Sequence, residues 1–416
     1  MDASEVDTRH AAVIKLCQEL VAIPSENPPG NTAAMADLIQ ARLAHPNITV
    51  KRVEPRLGIV NLVATLKGAQ LGPRVVLNGH LDTFPIGPVE GWSLPPLGGQ
   101  SHNGRIYGRG AGDMKAGVAI LVTVMLALAD EQAYVHGELV LLLVGDEETG
   151  GKWGTSYLLE HEPLARGDVV LNTDAGNPMV VRIGEKGIVW FRLTSSGRAC
   201  HGAHVHRGDN AIESLMTALA DVVRLRDVPT SLPPETINAM LRAKAVSESV
   251  GGDGEFNNLS RVTVNIGALH GGTSPNLVPG EAHALVDVRY PPGMAGADVK
   301  EWLAGALKNH PKVQLEAIAN SETEPSMTQP SDPLVLRVQQ HARRIVSPDV
   351  VANMRVGLTD ARLFRHEGIP TVVYGPTAYN MGGVDEYVEI REVEQVLEVH
   401  LAVVRDYLVK STTVAN

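Results

Sequence analysis

The sequence predicts an α/β protein, in which a mainly parallel sheet with helices on both faces is interrupted by a smaller ferredoxin-like α+β domain. Three observations lead to this prediction. Several strand-length runs are almost entirely apolar, which is typical of strands covered on both faces. A long apolar helical segment lies between two of these runs, as an α/β layer architecture requires. After Gly184 the pattern of strands and helices changes, which indicates a second domain.

The first domain starts with residues 1–183. Its predicted helix covers residues 114–130. The short apolar segment 372–374 returns a strand to the same sheet, so we assign residues 321–416 to the second part of this domain. The predicted strands before that segment are 59–66, 74–80, 138–148 and 168–176.

Residues 184–320 form the second domain, which is inserted into the first. Its predicted order is strand, helix, two strands, helix and strand, the order of the ferredoxin-like split motif. The polar stretch 320–333 is then the linker back to the first domain. The predicted elements are the strand 189–196, the helix 210–227, the strands 261–270 and 281–290, the helix 296–309 and the strand 312–319.

Composition limits the class of protein. A chain of 416 residues exceeds what one hydrophobic core usually serves, which agrees with two domains. The net charge of −11 argues against a nucleic-acid partner, and no apolar run is long enough to predict a membrane span. The N-terminal stretch lacks the pattern of a signal peptide, and two cysteines, Cys17 and Cys200, exclude a disulfide framework. We therefore expect a cytoplasmic protein that acts on a small molecule.

Residues of the kind that bind metals stand at four consecutive strand or loop ends. In an open α/β sheet such ends meet at one edge, so the side chains should converge. An imidazole with several carboxylates suits Zn²⁺, Mn²⁺ or Co²⁺. Singly, a strand-end histidine is more often solvated, and paired glutamates can mark a helix N-terminus, but four such ends together indicate a metal site. The residues are His80, Asp82, Asp113, Glu147, Glu148 and Asp174.

Four motifs in this order resemble a family of metallohydrolases. They are GHLDT (79–83), GRGAGDMKAG (108–117), GDEETG (145–150) and the strand-end Asp174. The family includes acetylornithine deacetylase, succinyl-diaminopimelate desuccinylase, glutamate carboxypeptidase and aminoacylase. The resemblance covers nearly the whole chain, and it implies a catalytic domain with an inserted domain for the lid and for dimerisation.

The resemblance also implies a two-metal site. His80 and Asp174 would hold the first metal. Asp113 would bridge the two metals, and Glu148 would hold the second. This assignment agrees with the donor types, because imidazole and carboxylate are common ligands of divalent transition metals.

Five further roles follow from the resemblance. Glu147 would be the general base for the attacking water, and Asp82 would accept the second ring N–H of the metal-binding histidine. In the inserted domain, His201 would reach the active site of a neighbouring subunit and stabilise an oxyanion. Asn276 and Arg289 would bind polar groups of the substrate, the arginine by gripping a carboxylate. We therefore expect a homodimer or a higher homo-oligomer.

The chain departs from the family at one position near the C-terminus. The family supplies another histidine to the second metal from a stretch of the form H-x-x-D/N-E-Y. Counting back from 385–387 places that residue at Gly382, which cannot ligate a metal. Tyr379 stands three residues earlier and either binds the metal as a phenolate or packs in the pocket wall. We expect one or two divalent ions per chain, with the second site weakened.

These observations predict a metal-dependent hydrolase that uses an activated water to cleave a C–N bond, by amide deacylation or peptide-type hydrolysis, in a small carboxylate-bearing substrate. An alternative is the hydrolytic deamination of an aryl amine, as in 5-nitroanthranilate aminohydrolase, which the missing histidine suggests. A third possibility, from another class, is a non-catalytic binding protein. The presence of Glu147, which a binding protein would not need, argues against the third possibility.

Overall fold

The structure, a computed structural model, describes residues 3–131, 135–319 and 321–409. The helices are α1 (Ala3–Val21), α2 (Ala33–Arg42), α3 (Ala116–Asp130), α4 (Thr155–His161), α5 (Ala211–Val223), α6 (Pro234–Gly251), α7 (Glu255–Ser260), α8 (Gly296–Ala306), α9 (Pro333–Ile345), α10 (Ala361–His366) and α11 (Ile390–Leu408).

The strands are divided among a large sheet, a four-stranded sheet and two small sheets. They are β1 (Ile48–Arg56), β2 (Ile59–Lys67), β3 (Gln70–His80), β4 (Gln100–His102), β5 (Arg105–Tyr107), β6 (His136–Val144), β7 (Val169–Asn172), β8 (Val180–Glu185), β9 (Gly187–Ser196), β10 (Cys200–His201), β11 (Thr263–Gly271), β12 (Leu277–Val278), β13 (Glu281–Tyr290), β14 (Val313–Ala317), β15 (Ser326–Met327), β16 (Val351–Arg355), β17 (Thr371–Val373) and β18 (Tyr387–Glu389).

The large sheet has the order β1-β2-β6-β3-β7-β17-β8-β15, with β16 paired to β8. Its centre, β6-β3-β7-β17, is parallel, and antiparallel pairings extend it on both sides. The apolar strands are covered on both faces. On β6, Leu139, Leu141 and Leu143 pack with α1, α3 and α11, whereas Val140 and the other alternate residues pack with α4 and α10. This two-sided burial explains the continuous apolar runs and confirms the predicted α/β class.

Helix α3 is strongly apolar. The stretch Ala111–Asp130 is long and apolar enough to cross a membrane, with a mean hydropathy of 1.7, but 83% of an 18-residue window of it is buried inside the protein. It lies against β3 and α1 in the main hydrophobic core. Burial in that core accounts for its composition without a bilayer.

The inserted domain is built on a separate antiparallel sheet with the order β11-β13-β9-β14. Helices α5 and α8 supply Leu215, Leu219 and Leu303 to the core beneath this sheet. The order of strands and helices confirms the predicted ferredoxin-like domain. All four strands lie within the predicted range 184–320, although the boundaries themselves stay a prediction.

Two helices of the inserted segment were not predicted from the sequence. Helices α6 and α7 follow α5 and pack toward β16 of the large sheet, with Met240, Leu259 and Met354 forming a small buried cluster. Lys186, at the junction of the two sheets, donates to the carbonyl oxygens of Asn258 and Arg261 at 2.7 and 2.8 Å. The inserted segment therefore contacts the first domain through packed helices as well as through its two chain connections.

Candidate metal centre

His80 and Asp82 lie where β3 ends, and both are buried. The Nδ1 atom of His80 is 2.9 Å from the backbone oxygen of Asp82 and 3.6 Å from its carboxylate. The carboxylate instead accepts hydrogen bonds from the backbone N–H groups of Glu147 and Glu148, at 3.2 and 3.1 Å. The structure therefore differs from the predicted contact. The backbone oxygen of Asp82, and not its carboxylate, lies within hydrogen-bonding distance of His80. The N–H groups that the carboxylate binds stand at the start of a short 3₁₀ turn and have no partner within that turn.

Three predicted ligands come together at this edge of the sheet. The candidate ligand atoms of His80, Asp113 and Glu148 all lie within 4.8 Å of one another. The closest pair is His80 Nε2 and Asp113 Oδ1, at 3.0 Å. Glu148 Oε1 is buried and accepts no hydrogen bond from the part of the chain that the structure describes. A buried carboxylate oxygen without a donor, beside an imidazole and a second carboxylate, fits a divalent transition metal.

Asp174 lies at the margin of this group. Its Oδ1 is 3.9 Å from His80 Nε2 and accepts a 2.5 Å hydrogen bond from the N–H of Ala175. Asp174 is thus brought to the centre, as predicted, but it lies farther from the imidazole than Asp113 does.

The electrostatics of the centre favour binding of a cation. Burial, reinforced by the charge of Asp113, raises the pKa of Glu148 to about 9. Burial also raises the pKa of Asp174 to about 7, although Arg355 acts in the opposite direction. Burial lowers the pKa of His80, but the hydrogen bond to Asp113 and the nearby carboxylates outweigh it and raise that pKa well above its usual value. Without a metal, the centre holds protons that a divalent ion would displace.

Glu147 stands at the edge of a cavity of about 510 Å³ between the two domains. Burial, and then the charge of Asp174, raises the pKa of its carboxyl well above the usual range, although His80 opposes the shift. The aromatic rings of Phe84 and Trp190 also line this cavity. Glu148 of the metal-type cluster lines the same cavity, so the Glu147 carboxylate is placed beside the cluster for proton transfer.

His201 and Asn276 meet each other on the inserted domain. Pairing of β10 with β12 brings them together, and the Asn276 carbonyl accepts a 2.7 Å hydrogen bond from the N–H of Gly202. Both side chains are exposed. Among the described residues, neither lines the cavity beside Glu147. Their predicted roles at a neighbouring subunit's site stay predictions.

Arg289 reaches from the inserted domain to the first domain. Its Nε lies 3.2 Å from the carboxylate of Asp287, and its Nη1 donates a 3.1 Å hydrogen bond to the Val356 carbonyl. Val356 directly follows β16, so the guanidinium lies next to a loop of the first domain. This position is compatible with the predicted grip on a substrate carboxylate.

The Tyr379 side chain contacts residues outside the group His80, Asp113 and Glu148, and its predicted ligand role stays a prediction. Its hydroxyl donates a 3.0 Å hydrogen bond to Glu392, and its ring stacks on Tyr387 with centroids 4.6 Å apart. Burial and the charge of Glu392 raise its pKa to about 12, which disfavours the phenolate. Binding of a metal by Tyr379 would require that the hydroxyl leave Glu392, so its other predicted position, in the packed wall, describes this structure better.

Gly382 occupies a left-handed conformation with φ of +71°. Its carbonyl accepts a 3.0 Å hydrogen bond from Arg109 Nη2. A Cβ atom at this position would lie 3.6 Å from the ring of Phe84, in ordinary contact. A side chain here would therefore point toward the ring of Phe84, which borders the cavity.

Two residues of the centre were missed in the sequence. Arg355 lies 3.9 Å from Asp174 Oδ1, but its strand, β16, was not predicted, so no signal placed it there. Glu386 accepts hydrogen bonds from the N–H groups of Gly112 and Asp113, both at 3.2 Å. Glu386 lies in the sequence Asp-Glu-Tyr (385–387), which located Gly382 but did not indicate that Glu386 contacts the backbone at Asp113.

Comparisons with known proteins agree with this geometry. Residues 76–406 match the sequence profile of a family described as Peptidase family M20/M25/M40. A succinyl-diaminopimelate desuccinylase of Cereibacter sphaeroides is 28% identical over 406 residues, covering 95% of this chain and 98% of that protein. A protein of the same name from Caulobacter vibrioides is 27% identical over 408 residues, covering 95% of each chain. The matched range contains every residue of the candidate centre.

Solved structures share the fold at lower identity. A metallo-carboxypeptidase of Sulfolobus solfataricus superposes with a TM-score of 0.78 at 18% identity, covering 98% of this chain and 99% of that chain. A tripeptidase of Staphylococcus aureus gives 0.75 at 19%, covering 96% and 98%. A dinuclear metal binding peptidase of Bacillus subtilis gives 0.61 at 15%, covering 95% and 98%. These similarities confirm the arrangement of an α/β domain with a separate small antiparallel domain.

Proposed function

The chain belongs to peptidase family M20/M25/M40, and from that premise we propose that it hydrolyses an amide or peptide-type C–N bond in a small carboxylate-bearing molecule. The observation that carries the proposal is the placement of Glu147. It lines a cavity between the domains together with Glu148, a member of the group His80, Asp113 and Glu148. That arrangement offers a metal-type centre, a base and room for a substrate at one place.

The residues present fit a divalent ion such as Zn²⁺, Mn²⁺ or Co²⁺. His80, Asp113 and Glu148 would hold it, with Asp174 beside them. When bound, such an ion supplies Lewis-acid activation of water and of a polarised carbonyl. We propose that the absence of a ligand at Gly382 weakens a second site.

Glu147 performs the proton transfers of the proposed reaction. It takes a proton from the attacking water as the bond from oxygen to the substrate carbon forms, and it returns that proton to the nitrogen as the C–N bond breaks. The hydrogen bonds that Asp82 accepts from the backbone of 147–148 fix this turn before the substrate arrives. Arg289 is the proposed partner of the substrate carboxylate, because a guanidinium can bind a carboxylate with two parallel hydrogen bonds.

A second candidate reaction is the hydrolytic deamination of an aryl amine such as 5-nitroanthranilate. Phe84 and Trp190, which line the cavity beside Glu147, favour it because aromatic rings pack well against a flat substrate. In this reaction water adds to a ring carbon and ammonia leaves. We further propose a cytoplasmic location, supported by the two free cysteines, Cys17 and Cys200.

The first test replaces Glu147 by Gln in the metal-loaded protein. We expect turnover to fall by at least about 100-fold, because a general base contributes to rate, whereas the metal content changes little. Glu160→Gln is the matched control, since Glu160 is 78% exposed on α4 and lies outside the candidate centre.

Activity is measured with N-acyl amino acids, dipeptides and aminobenzoates. Release of free amino acid from the first two indicates amide hydrolysis, and release of ammonia from the third indicates deamination. Near-normal turnover in the Glu147→Gln protein would show that another group acts as the base.

A further inference from the structure

Arg355, the last residue of β16, places a largely buried guanidinium beside the metal centre. Its Nη1 donates a hydrogen bond to the Ala175 carbonyl and lies 3.9 Å from Asp174 Oδ1. Only 14% of the side chain is exposed. Because a guanidinium does not lose its proton in a protein, this positive charge is permanent.

Asp174 is the carboxylate of the centre that lies within ion-pair distance of this guanidinium in the described chain. Burial lowers the pKa of Arg355, but the charges of Asp174, Glu185, Asp113 and Glu147 outweigh it and raise that pKa. Glu185 has other partners, because it accepts hydrogen bonds from the loop after β16 and lies 3.5 Å from Arg365. Asp174 is therefore the main counter-ion of the cation.

Asp174 Oδ1 is 3.9 Å from the guanidinium and equally far from the imidazole of His80. It also accepts the hydrogen bond from the N–H of Ala175. His80 Nε2 is 3.9 Å from that oxygen, compared with 3.0 Å from Asp113 Oδ1. In the described chain, the compact group of ligand atoms consists of His80, Asp113 and Glu148.

We propose that Arg355 is a tethered positive charge of the metal centre, which pairs with Asp174 and restricts the centre to one divalent ion held by His80, Asp113 and Glu148. This inference rests on the proposed function, because it assumes that the centre binds a metal. It assigns Arg355 as a positioning and charge-balancing residue.

Two features of the chain act in the same direction. Gly382 offers no side chain to a second ion, and Arg355 repels any additional cation near Asp174. Removal of water from the centre strengthens that repulsion, since Coulomb interactions grow as the effective dielectric constant falls. The guanidinium also supplies part of the positive charge that the clustered carboxylates need, so a single ion is sufficient.

The test compares Arg355→Met, which removes the charge, with Arg355→Lys, which retains it. Metal-free protein is loaded with Mn²⁺ alone, the bound metal is counted after dialysis, and the dissociation constant is measured by competition with a chelator. Electron paramagnetic resonance distinguishes a single Mn²⁺ from a coupled pair. Arg337→Met is the matched control for the change in net charge, because Arg337 lies on α9 near Asp406.

We expect one Mn²⁺ per chain in the wild type, in Arg355→Lys and in the control. Arg355→Met should bind Mn²⁺ at least tenfold more tightly or should take up a second, coupled ion. Unchanged or weaker binding in Arg355→Met would overturn the proposal. A wild-type protein that binds no divalent ion would instead contradict the proposed function.

A second comparison covers the case in which Arg355→Met fails to fold. If Asp174 pairs with Arg355 rather than with the ion, Asp174→Asn should weaken Mn²⁺ binding by less than tenfold. Asp113→Asn should weaken it by more than 100-fold. Equal losses in the two variants would overturn the assignment of Asp174 as a partner of the arginine.

Discussion

At the scale of single residues, the ionisation of Glu148 and Asp174 connects metal binding to pH. Burial raises the pKa of Glu148 to about 9 and that of Asp174 to about 7, so at neutral pH the metal-free protein retains the proton of Glu148 and about half a proton on Asp174. Metal ligands must lose their protons, and a bound ion therefore releases protons to the solvent. The affinity of the centre for a cation must depend on the proton concentration.

We expect the affinity for Zn²⁺ or Mn²⁺ to rise by about tenfold per pH unit for each proton released, up to the pKa of Glu148 at about 9. Competition with a chelator at fixed ionic strength measures this slope. Tyr379→Phe should leave the slope unchanged, because the hydroxyl donates to Glu392 and its pKa is about 12. A slope lost in the Phe variant would restore Tyr379 as a ligand.

The sequence predicted the residues of the centre that lie in short local patterns. His80, Asp113 and Glu148 each lie within a recognisable motif, and the fold brings these motifs together at one edge of the sheet. Arg355 could not be found in this way, because its contact with Asp174 joins residues 181 positions apart on an unpredicted strand. The orientation of Tyr379 also depends on Glu392, a partner on α11 that no local pattern identifies.

At the scale of elements, a buried ion pair holds the loop that presents Asp113. Glu386 lies 2.6 Å from Arg109 Nη1, and both side chains are at most 2% exposed. The same carboxylate accepts hydrogen bonds from the N–H groups of Gly112 and Asp113. One residue next to β18 therefore fixes the backbone before α3.

We expect Glu386→Gln to lower the free energy of unfolding by about 3 kcal/mol, because loss of one partner leaves a buried charge uncompensated. It should also weaken metal binding, since Asp113 loses its support. Urea unfolding and chelator competition measure the two effects. Glu389→Gln is the matched control, because its partner Arg105 is 39% exposed and the pair is screened by solvent. Equal effects of the two substitutions would contradict the anchoring role.

The predicted elements were most accurate where burial is two-sided. The runs on β2, β3 and β6 are apolar because both faces of the sheet are covered, and their pattern identified them. Helix α6 was missed because its buried residues, such as Met240 and Ala243, are mixed with many polar ones. The strands β4, β5 and β18 have three residues each, too few for a periodic pattern.

At the scale of the whole molecule, the inserted domain contributes to more than one place. Trp190 of β9 lines the cavity beside Glu147, whereas His201 and Asn276 lie exposed on the same domain, outside that cavity in the described chain. An oligomer would give all three residues a role. Trp190 would serve the centre of its own chain, and His201 and Asn276 would reach the centre of a second copy.

The edge strand β11 is suited to such an association. It lies at the end of the four-stranded sheet, and Ile266 and Leu269 on it are 37% and 49% exposed. An edge strand offers unpaired backbone groups that a second copy can pair with, and a closed pair related by a two-fold axis removes both edges.

We expect the wild-type protein to be a dimer or a larger homo-oligomer in solution. Leu269→Lys should shift it toward the monomer, because two-fold symmetry would bring the new charges of both copies to one desolvated contact. Leu71→Lys is the matched control, since Leu71 is fully exposed at the start of β3 in the other domain. Light scattering after gel filtration measures the mass of each variant.

The same variants separate assembly from chemistry. If His201 acts on the neighbouring subunit, Leu269→Lys should lower turnover along with the oligomeric mass, whereas His201→Ala should lower turnover and leave the mass unchanged.

His201 is exposed, and its Nδ1 only accepts a hydrogen bond from the N–H of Ala203, so removal of the imidazole should change the free energy of unfolding little. Mixing His201→Ala with Glu147→Gln subunits should restore part of the activity, since each mixed dimer would contain one complete site. A monomeric wild-type protein with full turnover, or mixtures without any recovery, would show that each chain works alone and that His201 serves another purpose.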